Sequence, residues 1–476
     1  MLPLLLILIP LVLGIACFGA KGAAKAIALL AGSVLTGIGI YAAFLSKNEA
    51  GSDLLHLSAQ WLPQLGASFT LTSDGMSTML TALTGIVLLA TMISQQNKTV
   101  ENPGAFYGLM LLSIAGINGV FLAGDALLFY FFWELALIPV YFLCSRWGGE
   151  RRIPITFKFF VYTFVGSLFM LAALIYLYLQ TPGAHSYAIA DIIKAGQSLP
   201  ESTQLWLFPM LFIAFAIKMP IFPFHTWQPD TYEASPTPVT IILSALMVKM
   251  GIYAVIRWTL PVLPLGVAHY SNLITTLAIV GIVYASCIAL MQSDVKRLIA
   301  YSSIAHMGLM CAGAFSGTQP AMHGLLVQMF NHGISITGMW LLAGYVEERY
   351  GTRDMTKLGG MASGAPWMAT ALVIVAFANI ALPLTNGFVG EFMLFHGLFE
   401  SASQYHILFM VIAGLGVILG AVYTLGMVQK VAYGNAVEGS TPRDLSSNEW
   451  WALGVIISLI IFLGVYPKVL LDLLAV

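Results

Sequence analysis

Long apolar stretches alternate with short polar ones along the whole chain. A helix needs about 20 predominantly apolar residues to cross a bilayer, and about fourteen stretches reach that length. They begin near Leu2, Ala24, Met76, Gly104, Ala126, Ile155, Leu205, Pro238, Leu273, Val295, Ala321, Trp367, His406 and Trp450. The longest segments between them, roughly 46–73 and 180–204, are too short to form a soluble domain. This pattern predicts an all-α polytopic membrane protein with about 14 transmembrane helices.

The composition favours the same class. Of the 476 residues, 59% are hydrophobic and only 9% are charged, whereas about 25% of the residues in a soluble domain are charged. A net charge of -1 gives no positive field for nucleic acid, so we predict the lipid bilayer and no nucleic acid as a partner. The four cysteines lack metal-ligand spacing. We therefore predict no cofactor and no metal in this chain.

The basic residues are distributed unevenly between the loops. Of the 20 lysines and arginines, 14 lie in or beside loops that follow odd-numbered spans and four lie on the other side. Lysine and arginine accumulate in the cytoplasmic loops of membrane proteins. We therefore predict a multi-pass protein whose odd-numbered loops are cytoplasmic and whose two termini both lie outside.

The two remaining basic residues, Lys218 and Lys249, lie within apolar spans. An ammonium at the centre of a bilayer costs on the order of 3 kcal/mol, so such residues usually face a bundle interior and mark a transport pathway. Pro220 and Pro223 lack the backbone donors of a helix and break it just after Lys218. A broken helix at membrane depth must line a cavity or be buried in protein, because lipid cannot satisfy its free carbonyls.

A second interruption is predicted near Pro383 and Gly387, and the letters AFA precede both interruptions. Interrupted helices in corresponding positions are typical of inverted-repeat transporters, although so short a match leaves coincidence open. We predict two inverted five-helix repeats, each containing a broken helix. The predicted units are three N-terminal helices in 1–103, the first repeat in 104–260, the second repeat in 261–433 and a C-terminal helix in 434–476.

Six ionisable side chains lie deep within the predicted spans, and they are our candidate site: Glu134, Lys218, Lys249, His306, His332 and Glu391. Buried carboxylates and ammonium groups can exchange protons near neutral pH, whereas arginine cannot. Histidine already titrates in that range. A Glu134 to Lys218 ion pair would keep both groups charged, and separating it would drive Lys218 to release a proton. The order acid, base, base, histidine, histidine, acid predicts a proton relay across the bundle.

Each candidate also has a structural interpretation. Glu134 and Lys218 could form a static pair, Lys249 could extend to the membrane surface, and each histidine could bond a backbone carbonyl. Glu391 could cap the half-helix after the second break. Near the site, Asp125 is predicted to cap a helix, and the polar residues beside the proline-rich turn are predicted to serve helix capping and loop structure: His225, Asp230 and Glu233.

The same residues carry a resemblance to a known family. The stretches FWELALIPVYFL, KFFVYTFVGS, AIKMPIFPFHTWQPDTYEASPTPVTIILSALMVKMGIY, DVKRLIAYSSIAHMG and LPLTNGFVGEF resemble the antiporter-like subunits of proton-pumping NADH:quinone oxidoreductase, respiratory complex I. The similarity runs from about 104 to 431. The other antiporter-like subunits usually carry lysine where this chain has Glu391, so the resemblance is to subunit M, the counterpart of mitochondrial subunit 4. The end of the chain soon after the last span also differs from subunit L.

The resemblance implies a role for every candidate. It makes Glu134 and Lys218 the coupled pair of a first half-channel and Lys249 the central proton carrier. His306 and His332 would pass protons onward, and Glu391 would be the terminal residue of a second half-channel. It also implies a non-redox proton-pumping translocase subunit in a bacterial cytoplasmic (inner) membrane. NADH, FMN, iron-sulfur clusters and quinone would be held by partner subunits, and other antiporter-like membrane subunits would be its neighbours.

Two other functions remain as alternatives. The first is a subunit of a multisubunit sodium/proton antiporter or of a membrane-bound hydrogenase. The second is a passive assembly scaffold whose buried charges only fix packing.

Overall fold

A computed structural model describes residues 1–20, 22–49, 52–435 and 443–474. Lys21, which was counted among the basic loop residues, lies outside the described residues. Residues 436–442 and 475–476 of the predicted C-terminal unit also lie outside them. The boundaries of the four predicted units and the inverted repeat remain predictions.

In the described residues up to 234, the chain forms nine α-helices and one β-hairpin. The helices are α1 Leu2–Gly19, α2 Ala24–Asn48, α3 Gly75–Ser94, α4 Pro103–Leu122, α5 Ala126–Trp147, α6 Arg152–Leu179, α7 Ile189–Gln197, α8 Glu201–Lys218 and α9 Gln228–Ala234. The hairpin strands are β1 His56–Leu62 and β2 Ala67–Thr72.

The rest of the chain is helical, with one span built from several segments. The helices are α10 Thr237–Ile241, α11 Val248–Ala254, α12 Leu260–Val262, α13 Pro264–Leu290, α14 Val295–Ala314, α15 Gln319–Tyr350, α16 Met361–Gly364, α17 Pro366–Asn379, α18 Asn386–Phe399, α19 His406–Val428, α20 Ser447–Val465 and α21 Lys468–Leu474. Two π-helical segments, Ile242–Met247 and Val255–Thr259, join α10, α11 and α12 into one 26-residue span.

The predicted helical membrane class is confirmed. Within the described ranges, 11 helices are long and apolar enough to cross a membrane. The three other predicted spans correspond to α8, α14 and α17. Two of these helices, α8 and α17, end at breaks, and α14 starts with a polar turn that contains Lys296 and Arg297. The total of fourteen crossings remains a prediction.

The predicted starts agree with the structure except at one span. The helix expected near Leu273 begins at Pro264. Its first turns carry His269, Ser271 and Asn272, which lower the local hydropathy without interrupting the helix. Hydropathy therefore located the apolar part of α13 and missed its polar beginning.

The β-hairpin was not predicted. Strands β1 and β2 pair antiparallel with Gln60 opposite Ser68. Asp125, which precedes α5, accepts hydrogen bonds from the backbone N–H of Ser68 at 2.8 Å and from its hydroxyl at 3.2 Å. This small sheet therefore rests on the end of the helical bundle.

Contacts among the loops define two opposite faces of the bundle. On the basic face, which carries the loops that follow the odd-numbered spans, Lys98 pairs with Glu348, and Arg349 pairs with Glu449 at 2.6 Å. On the terminal face, the amino group of Met1 donates to Leu54 O at 2.9 Å. On the same face, Lys47 near the end of α2 pairs with Asp472 of α21 at 2.8 Å, so the structure places the beginning of α1 and α21 on one face. Which face is cytoplasmic remains a prediction.

The core of the bundle is formed by α15 and the span Thr237–Val262, which are almost entirely buried. Helix α15 packs against α3, α14, α17, α18 and α20. Small residues permit its close approach to α18: a Cβ at Gly397 would lie 2.3 Å from Ala321 N and one at Gly324 would lie 2.7 Å from Leu394 N. Close packing through small residues is the usual way in which helices associate in a membrane. It fixes α18 against the centre of the protein.

Candidate proton-transfer site

Lys249 occupies the centre of the site and is fully buried. It lies in α11, directly after the π-helical segment, where backbone carbonyls lose their usual partners. Its ammonium donates to Ser244 O at 3.0 Å and lies 2.7 Å from His332 Nδ1. Lys249 therefore does not extend to the membrane surface but joins its own span to α15.

The contacts continue from His332 to Glu391. The rings of His332 and His306 have centroids 5.4 Å apart. His306 Nδ1 lies 3.1 Å from Glu391 Oε1. Four of the six candidates thus form a line of neighbouring side chains on α11, α15, α14 and α18. The line includes acids and bases that can each hold a proton.

Glu391 is positioned by a break in the helix. Residues 380–385 separate α17 from α18, and Ala381 and Leu384 adopt positive φ angles there. The Asn331 amide donates to Asn386 O at 2.6 Å, and the Asn386 amide donates to Asn331 O at 3.1 Å. These reciprocal bonds hold the first residue of α18 on α15.

Glu391 does not cap this half-helix. It is the sixth residue of α18, beyond the first turn, and its carboxylate faces His306 and Gln328. A cavity of about 30 Å³ adjoins the pair, with Asn379 and Tyr423 in its lining. This space is large enough for one water molecule. Tyr423 also donates to Ser302 Oγ at 3.1 Å, so the cavity has polar walls.

Lys218 ends α8 at the first break and is buried. Its ammonium lies 5.3 Å from the centroid of the Trp133 ring and has no hydrogen-bond partner among the described residues. The indole N–H of Trp227 donates to Ile217 O at 3.0 Å. This bond satisfies one of the carbonyls that the break leaves free.

Glu134 lies on α5 and is half-buried. Tyr130 and Ser167 lie beside its carboxylate, and one carboxylate oxygen, Oε1, is buried without a hydrogen-bond partner. No ion pair within 4.0 Å joins it to Lys218. The expected direct pair is therefore absent between these two described residues. Instead, the ammonium faces the electron-rich surface of Trp133.

The neighbouring polar residues lie outside this line of side chains, and Asp125 has its predicted structural role. Asp125 caps α5, because its Oδ1 accepts from the N–H groups of Leu127 and Leu128. Burial raises the pKa of Asp125, although these bonds and those from Ser68 act in the opposite direction. Asp230 and Glu233, predicted to serve helix capping or loop structure, lie instead within α9 and form ion pairs with Arg297 on the basic face, at 3.3 and 2.8 Å.

His225 packs between aromatic rings. Its ring stacks on Phe222 at 5.8 Å and meets Tyr284 edge-on at 5.3 Å. The residue therefore contributes to the packing of the proline-rich turn, as predicted for this stretch.

Sequence reasoning missed Gln328. Its amide Nε2 lies 3.3 Å from Glu391 Oε1, and the residue is buried. A signal was present, because Gln328 lies four residues before His332 and residues at this spacing share a helix face. The contact with the Ser244 carbonyl could not be predicted in this way, because a π-helical segment has no distinctive amino-acid composition.

The helical bundle, its two interrupted helices and its line of ionisable side chains are those of an antiporter-like membrane protein. The chain belongs to the family described as NADH:quinone oxidoreductase/Mrp antiporter, transmembrane, whose model matches residues 123–427. NADH-quinone oxidoreductase subunit M of Pseudomonas aeruginosa is 34% identical over 490 residues, which cover 99% of this chain and 95% of the relative. The resemblance to subunit M is thereby confirmed.

Solved structures agree with this assignment. A chain of respiratory complex I from Thermus thermophilus matches with a TM-score of 0.90 and 30% identity, covering 99% of this chain and 98% of the other. A chain of the Mrp complex from Dietzia sp. DQ12-45-1b matches with a TM-score of 0.82 and 24% identity, covering 98% of this chain and 52% of the other. The second match shows a shared fold alone.

Proposed function

We propose that this chain is a proton-translocating, non-redox subunit of NADH:quinone oxidoreductase. The observation that carries the proposal is the line of buried contacts from Lys249 through His332 and His306 to Glu391. A buried ion pair is a poor stabiliser because desolvation offsets the attraction. Packing alone is therefore a weak reason for four ionisable groups to meet at the centre of a membrane protein.

The residues have distinct roles in the proposed relay. Glu134 and Lys218 form the first half-channel, in which the field of the carboxylate favours the charged lysine. Lys249 receives the proton and passes it to His332, because neutral imidazole can accept a proton at the nitrogen that faces the ammonium. His332 passes the proton to His306, and His306 transfers it to Glu391, the terminal residue of the second half-channel. Redox energy released in other subunits drives these transfers.

The proposal includes a location and partners. The uneven distribution of basic residues supports a bacterial cytoplasmic (inner) membrane with both termini on the periplasmic side. The names of the relatives support other complex I membrane subunits as neighbours. NADH, FMN, iron-sulfur clusters and quinone belong to partner subunits, and the protons themselves are the cargo of this chain.

The test is NADH-driven acidification of inverted membrane vesicles that contain the native chain or Glu134→Gln at equal complex content. The proposal predicts that the variant loses the protons moved through this subunit, because glutamine cannot supply the charge that holds Lys218 protonated. Glu400→Gln, a change at a half-exposed carboxylate outside the relay, is the matched control and should pump normally. An unchanged proton yield per NADH in Glu134→Gln would contradict the proposal.

A sodium/proton antiporter subunit is the second candidate. It is favoured by the family, which includes Mrp antiporters, and by the fold shared with the Mrp complex. Addition of sodium to the same vesicles without NADH discriminates between the candidates. Sodium-driven proton movement that depends on Glu134 would replace the first proposal by this one. A passive scaffold predicts instead that Glu134→Gln changes thermal stability and leaves transport intact.

A further inference from the structure

Gln328 is a buried amide placed against the last residue of the relay. It lies on α15, is 3% exposed, and its Nε2 is 3.3 Å from Glu391 Oε1. Its own carbonyl oxygen, Oε1, is buried without a hydrogen-bond partner among the described residues. A buried polar atom without a partner is uncommon and calls for an explanation. Here the free atom is an acceptor beside a group that can carry a proton.

The packing of α18 holds the amide in this place. A Cβ at Gly390 would lie 2.4 Å from Gln328 Oε1 and 3.0 Å from its Cβ. Only glycine at this position lets α18 approach the glutamine side chain so closely. Gln328 is therefore confined next to the Glu391 carboxyl rather than free to turn toward solvent.

The chemistry of an amide suits both protonation states of a carboxyl group. A carboxylate only accepts hydrogen bonds, whereas a carboxylic acid also donates one. Glutamine is neutral and has both a donor and an acceptor, which rotation about its last side-chain bond exchanges. In the arrangement seen, Nε2 donates to Glu391 Oε1, the oxygen that His306 also faces. After protonation, the free Gln328 Oε1 can accept from the acid.

We propose that Gln328 is a positioning residue that hydrogen-bonds Glu391 in both its ionised and its protonated form. The Glu391 carboxyl group then keeps a hydrogen-bond partner on Gln328 in both protonation states, whereas an unpaired buried carboxyl would be costly in a low-dielectric site. The proposal rests on the proposed relay, because it gives Gln328 a role only if Glu391 changes its protonation state.

The test uses Gln328→Met in the assembled complex, because methionine has a similar length and no hydrogen-bonding amide. The carbonyl stretch of protonated Glu391 is assigned by infrared difference spectroscopy against Glu391→Gln. We expect this band to move to higher frequency in Gln328→Met, since the acid loses its acceptor. Proton pumping through this chain should fall on the order of tenfold, the scale of one hydrogen bond to a charged group.

Gln204→Met is the matched control. Gln204 is also a fully buried glutamine, but its amide bonds only backbone atoms: the carbonyls of Gly196 and Leu199 and the N–H groups of Leu265 and Gly266. This variant should lower the content of assembled complex while the infrared band and the pumping per complex stay native. If Gln328→Met does not assemble, Gln328→Asn takes its place. Its shortened amide should produce the same band shift.

The outcomes separate the two proposals. A native band and native pumping in Gln328→Met or Gln328→Asn, together with loss of pumping in Glu391→Gln, would overturn the role of Gln328 and leave the relay standing. Native pumping in Glu391→Gln would remove the relay itself. A shifted band with reduced pumping in the Gln328 variant alone supports the positioning role.

Discussion

The two broken helices hold their buried charges at opposite ends of a half-helix. Lys218 is the last residue of α8, before the first break, and Glu391 lies in the second turn of α18, after the second break. The C-terminal end of a helix carries partial negative charge and the N-terminal end partial positive charge. The partial negative charge at the end of α8 therefore lies beside Lys218, and the partial positive charge at the start of α18 lies one turn before Glu391. The effect falls off within one turn, so it acts more strongly on Lys218 than on Glu391.

The halves also differ in how their charges are paired. Where the halves meet, Lys249 lies 2.7 Å from His332, and in the second half Glu391 lies 3.1 Å from His306. In the first half, the Lys218 ammonium and Glu134 Oε1 have no hydrogen-bond partner among the described residues. Direct proton transfer requires hydrogen-bond distance or one bridging water. The contacts of Lys249 with His332 and of His306 with Glu391 are thus short enough for direct transfer. The step between the two histidines, whose Nε2 atoms have no hydrogen-bond partner among the described residues, requires water or side-chain movement, as does the first half.

Substitution of Lys249, which lies where the two halves meet, should cause the largest loss of proton transfer. Lys249→Met should reduce proton transfer through the chain by about 100-fold or more, the scale of a lost acid-base group. Lys249→Arg should be equally inactive, because a guanidinium retains charge but does not release its proton. Pumping per NADH in vesicles measures both.

Lys296→Met is the control for these variants. Lys296 is also buried, but it pairs with Glu347 at 2.6 Å on the basic face, outside the relay. The Lys296→Met variant should pump normally when it is compared at equal complex content. Normal pumping by Lys249→Arg would show that charge rather than proton release matters at the centre.

Shortening the two acids sharpens the comparison between the halves. Glu391→Asp withdraws the carboxylate from His306 and should slow pumping about tenfold, since one charged hydrogen bond is lost. Glu134→Asp should slow it less, because Glu134 has no direct contact with Lys218 to lose and a water can span a slightly longer gap. The two variants are compared by their initial rates of NADH-driven acidification. A larger defect in Glu134→Asp would contradict the assignment of direct transfer to the second half.

Hydropathy predicted the membrane class and most helix starts, because the bilayer imposes apolar stretches of nearly fixed length. It could not predict the β-hairpin, whose short strands lie beyond the helical bundle where that constraint ends. It also placed all six buried ionisable residues within spans. Depth along a helix is readable from sequence, since each residue adds about 1.5 Å.

The helix face on which a residue lies and its tertiary contacts are harder to predict from the sequence. Opposite charge predicted a direct pair between Glu134 and Lys218, but the lysine packs on Trp133 instead. The contact between Lys249 and His332 joins residues 83 positions apart, which no local pattern specifies. Gln328 was overlooked because an amide in a span does not stand out as a charge does, although its spacing from His332 places both on one helix face.

The smallest expected effect concerns the carbonyl beside Lys218. Trp227→Phe removes the indole N–H that donates to Ile217 O, and a buried carbonyl left unpaired costs about 1–3 kcal/mol. Trp340→Phe is the matched change in the second half, since the Trp340 indole N–H is buried without a partner in the described structure. Loss of the Trp340 indole N–H should leave the free energy of unfolding nearly unchanged. Thermal unfolding of the purified complex compares the two variants at equal content.

The same substitution tests how the first half works. With Trp227 gone, the freed Ile217 carbonyl, one residue before Lys218, can accept from the lysine ammonium. Such a bond favours the charged form, so Trp227→Phe should slow proton release by a few-fold, whereas Trp340→Phe should not. Equal stability and equal pumping in both variants would mean that the break is supported by its packing alone. A selective defect in Trp227→Phe would mean that the unpaired state of Lys218 is maintained by the indole that occupies the Ile217 carbonyl.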